Sequence, residues 1–483
     1  MYMKQKTSFY LIGISLVSTI GGFLFGYDTA VISGSNSFLE KQFDLTPSML
    51  GWVVSSALLG TLLGCIISGS ITDRYGRKKT LIVAALCLTI SALGSMFPPQ
   101  FLGDMETHHW FSADSGFAFK FLIVARIIGG IGVGVTSVVA PIYISELTLP
   151  EKRGKMVSLY QLSITLGILL AFLVDWLILN NAGDAAGVVS GEKISLWNWL
   201  FVEELWRGMF GTEIPIALLF LVLLFFVPES PRWAFNKGEK DKAMRTMIMI
   251  GGKIQAEAQM NEMLKVENTE TGGIRDLFRP SLRRPLLIGI FLPMFSHLSG
   301  IAAIMYFAPN IINESIASVQ SSFLGAVLVG LINSIFTFVA IMNIEKYGRR
   351  KLLLIGVTGA FISLATVGVL FAVGSNLVII ALLFYVACFA FSYGPIVWVI
   401  ISEIFPTNVR GFAVSLGSFS LMLTGFVVTL TNPILIENIE ASGTFFLYAA
   451  LTLPAILFIW KFVPETKGKT LEEIERFWNE NDK

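Results

Sequence analysis

Charge is scarce in this chain. Only 14% of its 483 residues are Asp, Glu, Lys or Arg, 54% are hydrophobic, and mean hydropathy is +0.71. A soluble domain carries about 25% charged residues, so a water-soluble globule of this length is excluded and a polytopic membrane protein is expected. The net charge of +1 leaves no electrostatic footprint for nucleic acid. The three cysteines, Cys65, Cys87 and Cys388, lie inside apolar runs. An odd number so placed excludes a disulfide framework and reads as packing. Histidine is equally thin: His108-His109 has no further ligands beside it, and His297 stands alone in another run. No nucleophile–base pair and no metal-ligand spacing appears, so neither enzyme, metal nor cofactor is expected. Gly130-x-Gly132-x-Gly134 lies inside an apolar run with no strand before it, which predicts close helix packing and not a nucleotide loop.

What the chain does have is long apolar runs. Twelve are long enough to cross a bilayer as helices, beginning near Phe9, Met49, Thr80, Phe121, Val157, Gly208, Leu286, Ser321, Leu352, Leu377, Phe412 and Gly443. The first lacks a cleavage site after it, so it reads as an uncleaved span. The predicted fold is an all-α membrane protein of two six-helix bundles, 1–227 and 285–463. A small helical linker domain, 228–284, separates them, with amphipathic segments at 240–250 and 254–266, and a tail follows at 464–483. Lys and Arg concentrate in alternate loops: Arg74, Arg77, Lys78 and Lys79; Lys152, Arg153 and Lys155; the linker; Lys346, Arg349, Arg350 and Lys351; and Arg410. The other loops hold only Lys41, Lys120, Lys193 and Arg207. By the positive-inside rule both termini and the linker are cytoplasmic.

One acid sits where acids are expensive. Asp28 lies well inside the first run, where a carboxylate costs roughly 2.5 to 3.5 kcal/mol on insertion scales. Arg126 is the basic residue inside the run 121–139, and the expected answer to that cost is an Asp28–Arg126 pair. Such a pair is either a structural ion bridge or a titratable site.

The halves repeat each other. Asp73-Arg74-Tyr75-Gly76-Arg77-Lys78-Lys79 recurs as Glu345-Lys346-Tyr347-Gly348-Arg349-Arg350-Lys351. Glu146 with Arg153-Gly154 recurs as Glu403 with Arg410-Gly411, and Pro228-Glu229-Ser230 as Pro464-Glu465-Thr466. Candidate insertions at 98–116 and 180–206 lengthen the first half. Parallel repeats of this kind place a solute site at mid-membrane between the halves. The duplicated charged loops, each with a Gly for a tight turn, are expected to pair with acids at neighbouring helix ends and act as a gate.

These motifs, with Arg126-x-x-Gly129-Gly130, Pro231-Arg232-Trp233, Gly394-Pro395-x-x-Trp398 and Lys467-Gly468, resemble the sugar porter family of the major facilitator superfamily over essentially the whole chain. The segment Phe25 to Gly34 is most similar to bacterial xylose/proton symporters. The resemblance implies a proton site at Asp28 with Arg126 as partner and Glu213 as a supporting acid. It implies gating by Asp73, Arg74, Arg77, Glu146, Arg153, Glu229, Arg232, Glu345, Arg349, Glu403, Arg410 and Glu465. It also implies a sugar pocket that includes Phe25, Gln161, Ser296, His297, Tyr306, Gly394 and Trp398.

The pocket departs from the family pattern. The seventh-span Gln-Gln-x-x-Gly-x-Asn reads Ser296-His297-Leu298-Ser299-Gly300-Ile301-Ala302, a second fifth-span amide is Ile168, and an eleventh-span Gln is Leu421. His297 is expected either to bond a hydroxyl or carry a proton, or to pack between helices with a bond to a neighbouring backbone carbonyl. Asp175, near the outer end of the fifth span where relatives tend to have Asn, is expected to reach interfacial water or to serve solute or proton entry. Asn313-Glu314-Ser315 fits a glycosylation sequon in an external loop. The expected function is a proton-coupled symporter for a monosaccharide or polyol, monomeric and held in the bilayer of the bacterial inner membrane. The alternatives are an uncoupled facilitator, which would not need Asp28, and a solute sensor, for which the tail is short.

Overall fold

A computed structural model describes residues 9–97, 115–148, 150–183, 186, 195–266, 277–316, 318–405, 409–467, 473 and 478. Among the described residues every regular element is a helix. The first half comprises α1 (Phe9–Phe43), α2 (Pro47–Tyr75), α3 (Arg77–Met96), α4 (Ser115–Leu147) and α5 (Pro150–Ala182), then α6 (Leu196–Asn198), α7 (Leu205–Gly211) and α8 (Glu213–Phe226). The linker forms α9 (Pro231–Asn236), α10 (Lys240–Gly251) and α11 (Lys253–Val266) around a small core of Phe235, Ala243, Met247, Ala256 and Met260. The second half comprises α12 (Arg283–Leu298), α13 (Ile301–Ile316), α14 (Val319–Tyr347), α15 (Arg349–Ala372), α16 (Val378–Phe391), α17 (Tyr393–Ile404) and α18 (Arg410–Phe462).

Most helices begin up to two turns before the apolar runs, because polar flanks continue the backbone ladder beyond the hydrocarbon. Helix α2, for example, is entered through Thr46, whose hydroxyl accepts from the Met49 N–H, with Pro47 in the first turn. Eleven stretches among the described residues are long and apolar enough to span. The last, Gly411–Phe462, has 52 residues. At about 1.5 Å per residue that is more than twice a bilayer core. It breaks at Glu440, whose φ of 60° and ψ of 170° are not helical, so it crosses twice and the crossings among the described residues number twelve. Asn313, Glu314 and Ser315 lie in the final turns of α13 and not in a loop.

Packing follows the repeat. The pairs α1–α5, α2–α4 and α3–α4 in the first half correspond to α12–α18, α14–α16 and α15–α16 in the second. Small residues permit these contacts: a Cβ placed on Gly130 would lie 2.0 Å from the Ala57 carbonyl oxygen, and one on Gly134 2.2 Å from that of Thr61. The glycine stripe is therefore helix packing, as its setting predicted. The two halves meet along α2–α18, α5–α14 and α1–α13.

Hydrogen bonds join the halves from the middle of the spans outward. Ser334 Oγ donates to the Thr165 carbonyl at 3.0 Å, Asn36 Nδ2 to that of Tyr306 at 2.8 Å, and the Ala308 N–H to Ser33 Oγ at 3.1 Å. The Trp52 and Phe426 rings meet edge-on, and Gly51 abuts the Leu430 carbonyl. The end away from the basic loops is thus sealed across the two halves.

Candidate functional site

Asp28 and Arg126 are an ion pair, Arg126 Nη1 donating to Asp28 Oδ1. Arg126 is only 1% exposed and Asp28 7%. The guanidinium also lies 5.5 Å from the centre of the Phe210 ring, so its charge is met by a carboxylate and a π face. Its Nε and Nη2 have no bonding partner among the described residues. Glu213, buried at the start of α8, lies within electrostatic reach of both members of the pair. The three residues expected to form one charged site are therefore brought together by α1, α4 and α8.

Helix α1 connects this site to the second half. One residue beyond Asp28, Thr29 Oγ1 bonds the Phe25 carbonyl at 2.9 Å and the Tyr306 hydroxyl at 3.3 Å. Gly26 sets α1 against α5, since a Cβ there would stand 1.9 Å from the Ile164 carbonyl, one turn from Gln161. Phe25, Asp28 and Gln161 consequently belong to one tightly packed helix pair. Tyr306 is engaged at both ends, through its hydroxyl and through its carbonyl to Asn36, so it acts in the seal between halves as well as lining their interface.

The seventh span is divided at Ser299-Gly300, where Gly300 has φ +84° and lies against the Tyr448 ring. That division places the C-terminal end of α12, with Ser296 and His297, at mid-span. Ser296 is buried, whereas His297 is half-buried and leans on α18, where a Cβ on Gly425 would meet its Cδ2 at 2.8 Å. Its Nδ1 has no partner among the described residues. Phe25 and Trp398 pack on the core cluster that contains Tyr27, Tyr306, Ile168 and Leu421. Gly394 lies in the first turn of α17, just past the Ser392 break in the tenth span. Gln161 is half-buried on α5.

The charged loops form two matching clusters, each closed within its own half. In the first, Arg77 grips Glu146 with Nε at 2.9 Å and Nη2 at 2.8 Å, and Ser230 Oγ donates to Glu146 Oε2 at 2.5 Å. Glu229 Oε1 accepts from the backbone N–H groups of Arg77, Lys78 and Ser230 at 2.8, 3.2 and 2.8 Å. Burial pushes the Glu229 carboxyl above its ordinary value of 4.5, and these three donors oppose the shift. In the second cluster, Arg349 Nη2 bonds Glu403 at 2.8 Å and Glu345 at 2.7 Å, and Thr466 Oγ1 donates to Glu403 at 2.5 Å. Glu465 accepts from the Arg349 and Arg350 N–H groups at 2.8 and 3.1 Å. Gly76 and Gly348 have φ of +96° and +88°, and each abuts its glutamate. Asp73 is largely exposed and 3.5 Å from Arg77, while Arg74 and Arg232 are exposed. The side chains of Arg153 and Arg410 lie outside the described residues, as does His108-His109.

Asp175 departs from expectation. It is 0% exposed, so it does not reach interfacial water, and it is pressed against Gly34. Neither carboxyl oxygen has a partner among the described residues. Sequence reasoning also missed three polar groups. Asn36 and Thr29 carry the seal, and Asn333 is buried on α14 one residue from the Ser334 contact. A polar side chain inside an apolar run was the available signal for each. Arg207, read as a loop cation, is 2% exposed and bonded to Glu204 and to the Met96 carbonyl.

Two pseudo-repeated six-span bundles, a buried ion pair and polar groups at the interface between bundles define a secondary membrane transporter. The family profile described as "Sugar (and other) transporter" matches residues 14–478, and the chain belongs to that family. It is 37% identical to the D-xylose-proton symporter of Escherichia coli, covering 99% of this chain and 98% of that protein. It is 36% identical to the arabinose-proton symporter of Bacillus subtilis, covering 97% and 95%. The E. coli xylose transporter in a partially occluded inward-open conformation superposes with TM-score 0.81 at 36% identity, over 96% of this chain and all of that one.

Proposed function

We propose that this chain is a proton-coupled sugar symporter that works by alternating access. The observation that carries the reading is the buried Asp28–Arg126 pair, with Glu213 beside it, in a chain of this family. An uncoupled facilitator has no need to maintain such a charge, and the relatives include proton symporters for xylose and arabinose.

The basic end is cytoplasmic, with both termini and the linker on that side. Asp28 carries the proton, Arg126 is its ion-pair partner, and Glu213 supports the exchange. The link to the solute runs along α1: parting of the halves draws Tyr306 from Thr29, next to Asp28, while Phe25 and Gln161 remain on the α1–α5 pair. Solute and proton thereby bias one equilibrium. His297, Ser296 and Gln161 offer the polar contacts and Trp398, Gly394 and Phe25 the walls. With several family amides replaced, the solute is a monosaccharide or polyol whose hydroxyls match this sparser set. The twin clusters of Arg77, Glu146 and Glu229 and of Arg349, Glu403 and Glu465 fix, each within its own half, the helix ends that make up the cytoplasmic gate, with the exposed Asp73, Arg74, Arg232 and Glu345 at its rim and Arg153 and Arg410 as further members. The protein works as a monomer in the bacterial inner membrane.

One inward charge at 100 mV supplies about 2.3 kcal/mol, enough for roughly a 40-fold solute gradient. Asp28→Asn keeps the shape and removes the titration. In proteoliposomes it abolishes sugar accumulation under an imposed proton gradient while binding and counterflow survive. Continued accumulation by this variant would show that the proton travels elsewhere.

A further inference from the structure

A second polar site lies apart from the Asp28–Arg126 pair, at the basic end of the second half beside the Arg349–Glu465 cluster. A cavity of about 340 Å³ is lined by Arg284, Arg350, Lys461, Phe462, Pro464 and Trp478, together with Val463, so that among the described residues its lining holds three cations and no acid. Arg284 lies in the first turn of α12, Arg350 in the first turn of α15 and Lys461 in the last turn of α18, and Trp478 comes from the tail. Four separate segments thus converge on one concentration of positive charge. Arg350 spends Nη2 on the Trp460 carbonyl, and its buried Nε has no partner among the described residues. Arg284 and Lys461 are exposed.

The repeat does not account for this site. Lys78 bonds the Phe225 carbonyl in the first half as Arg350 bonds that of Trp460 in the second. With Pro228 aligned on Pro464, Lys461 corresponds to Phe225, which is apolar and exposed. The first half therefore has one cation where the second has two, and Arg284 and Trp478 complete the second.

The surroundings select the ligand. One turn from Arg284 along α12 is exposed Leu287, and one turn before Lys461 along α18 is exposed Leu457, with exposed Trp460 beside it. The cations therefore stand where an outward apolar surface ends, which suits a ligand with an anionic head and an apolar tail. A basic pocket between spans on the cytoplasmic side has the chemistry for a lipid phosphate, and the Arg forks add directional donors to it. We propose that this cavity binds the phosphate headgroup of an anionic membrane phospholipid, tying α12, α15, α18 and Trp478 together. The assignment is independent of proton coupling.

The test is native mass spectrometry of the purified full-length protein titrated with phosphatidylglycerol, phosphatidylcholine or inorganic phosphate. Arg284→Gln with Lys461→Gln removes two cations and weakens phosphatidylglycerol binding about 30-fold, at roughly fivefold per cation. Lys79→Gln with Lys237→Gln removes two cations on the same side and leaves that binding in place. If the first double variant does not fold, Lys461→Gln alone gives the fivefold loss. Equal affinity for phosphatidylcholine, or phosphatidylglycerol binding unchanged in the folded variants, overturns the proposal. Saturation by inorganic phosphate with no added affinity for the lipid would assign the site to a free anion and also overturn it.

Discussion

At the scale of single residues, the acids differ in how their charge is met. Asp28 has a guanidinium, whereas Asp175 is fully buried with neither oxygen bonded among the described residues. A buried unsatisfied polar group costs about 1 to 3 kcal/mol, and an ionised one more. Asp175→Asn is therefore expected to raise the thermal unfolding midpoint and keep transport. A loss of uptake with stability intact would instead assign Asp175 to the proton path. Glu229 gives a pH prediction of definite sign. Its folded value lies above 4.5, so the fold favours the neutral form. Its contribution is whole below about pH 4.5 and is lost as pH rises through the raised value. Glu229→Gln stays neutral and still accepts hydrogen bonds, so its stability falls less over that window. Melting curves from pH 4.5 to 8 that remained parallel for the two proteins would count against this. The charged residues were the most legible from sequence, because an acid inside an apolar run demands a partner. The burial of Asp175 was not legible, since nothing in its neighbours along the chain reports the approach of Gly34 from α1.

At the scale of elements, the helix starts were readable to within two turns from hydropathy, and the repeat placed the charged loops between the second and third spans of each half. The inner breaks were less legible. Ser299-Gly300 is marked by a glycine, but the break at Glu440 falls at a non-glycine residue in a polar turn between two runs. The loop glycines yield a sharp expectation. Gly76 has φ 96° and ψ 165°, a region essentially closed to other residues, and an added Cβ would meet Glu229 Oε2 at 2.3 Å. Gly76→Ala should cost about 1 to 3 kcal/mol from the backbone alone, seen as a lowered melting midpoint, and Gly348→Ala should match it. Gly69, with open space at its Cβ position, tolerates the same change. Equal destabilisation at Gly69 and Gly76 would mean that turn geometry is not the cause.

For the whole molecule, sequence gave two halves but not their mutual pose, because the groups that seal the far end are neutral. Asn36, Ser33 and Thr29 are polar residues among many on helices, and their partners are two backbone groups and a tyrosine hydroxyl. Asn36→Ala leaves the Tyr306 carbonyl without its donor and weakens the seal by about 1 to 2 kcal/mol. That shifts the population toward the state open at the far end by roughly 5- to 30-fold. Cysteine labelling at the end away from the basic loops should rise accordingly. Unchanged labelling would place the hold elsewhere, in the α5–α14 contact.

The closure of each charge cluster on its own half bears on how the chain is made. Glu229 and Ser230 follow directly on the sixth span, so the Arg77–Glu146 network has all its members once synthesis passes that point. Nothing in that network waits for the second half, and domains made first can settle first at ribosomal speed. The first bundle can thus lock its loop while the linker is still emerging, and the nascent second bundle docks against a surface already fixed.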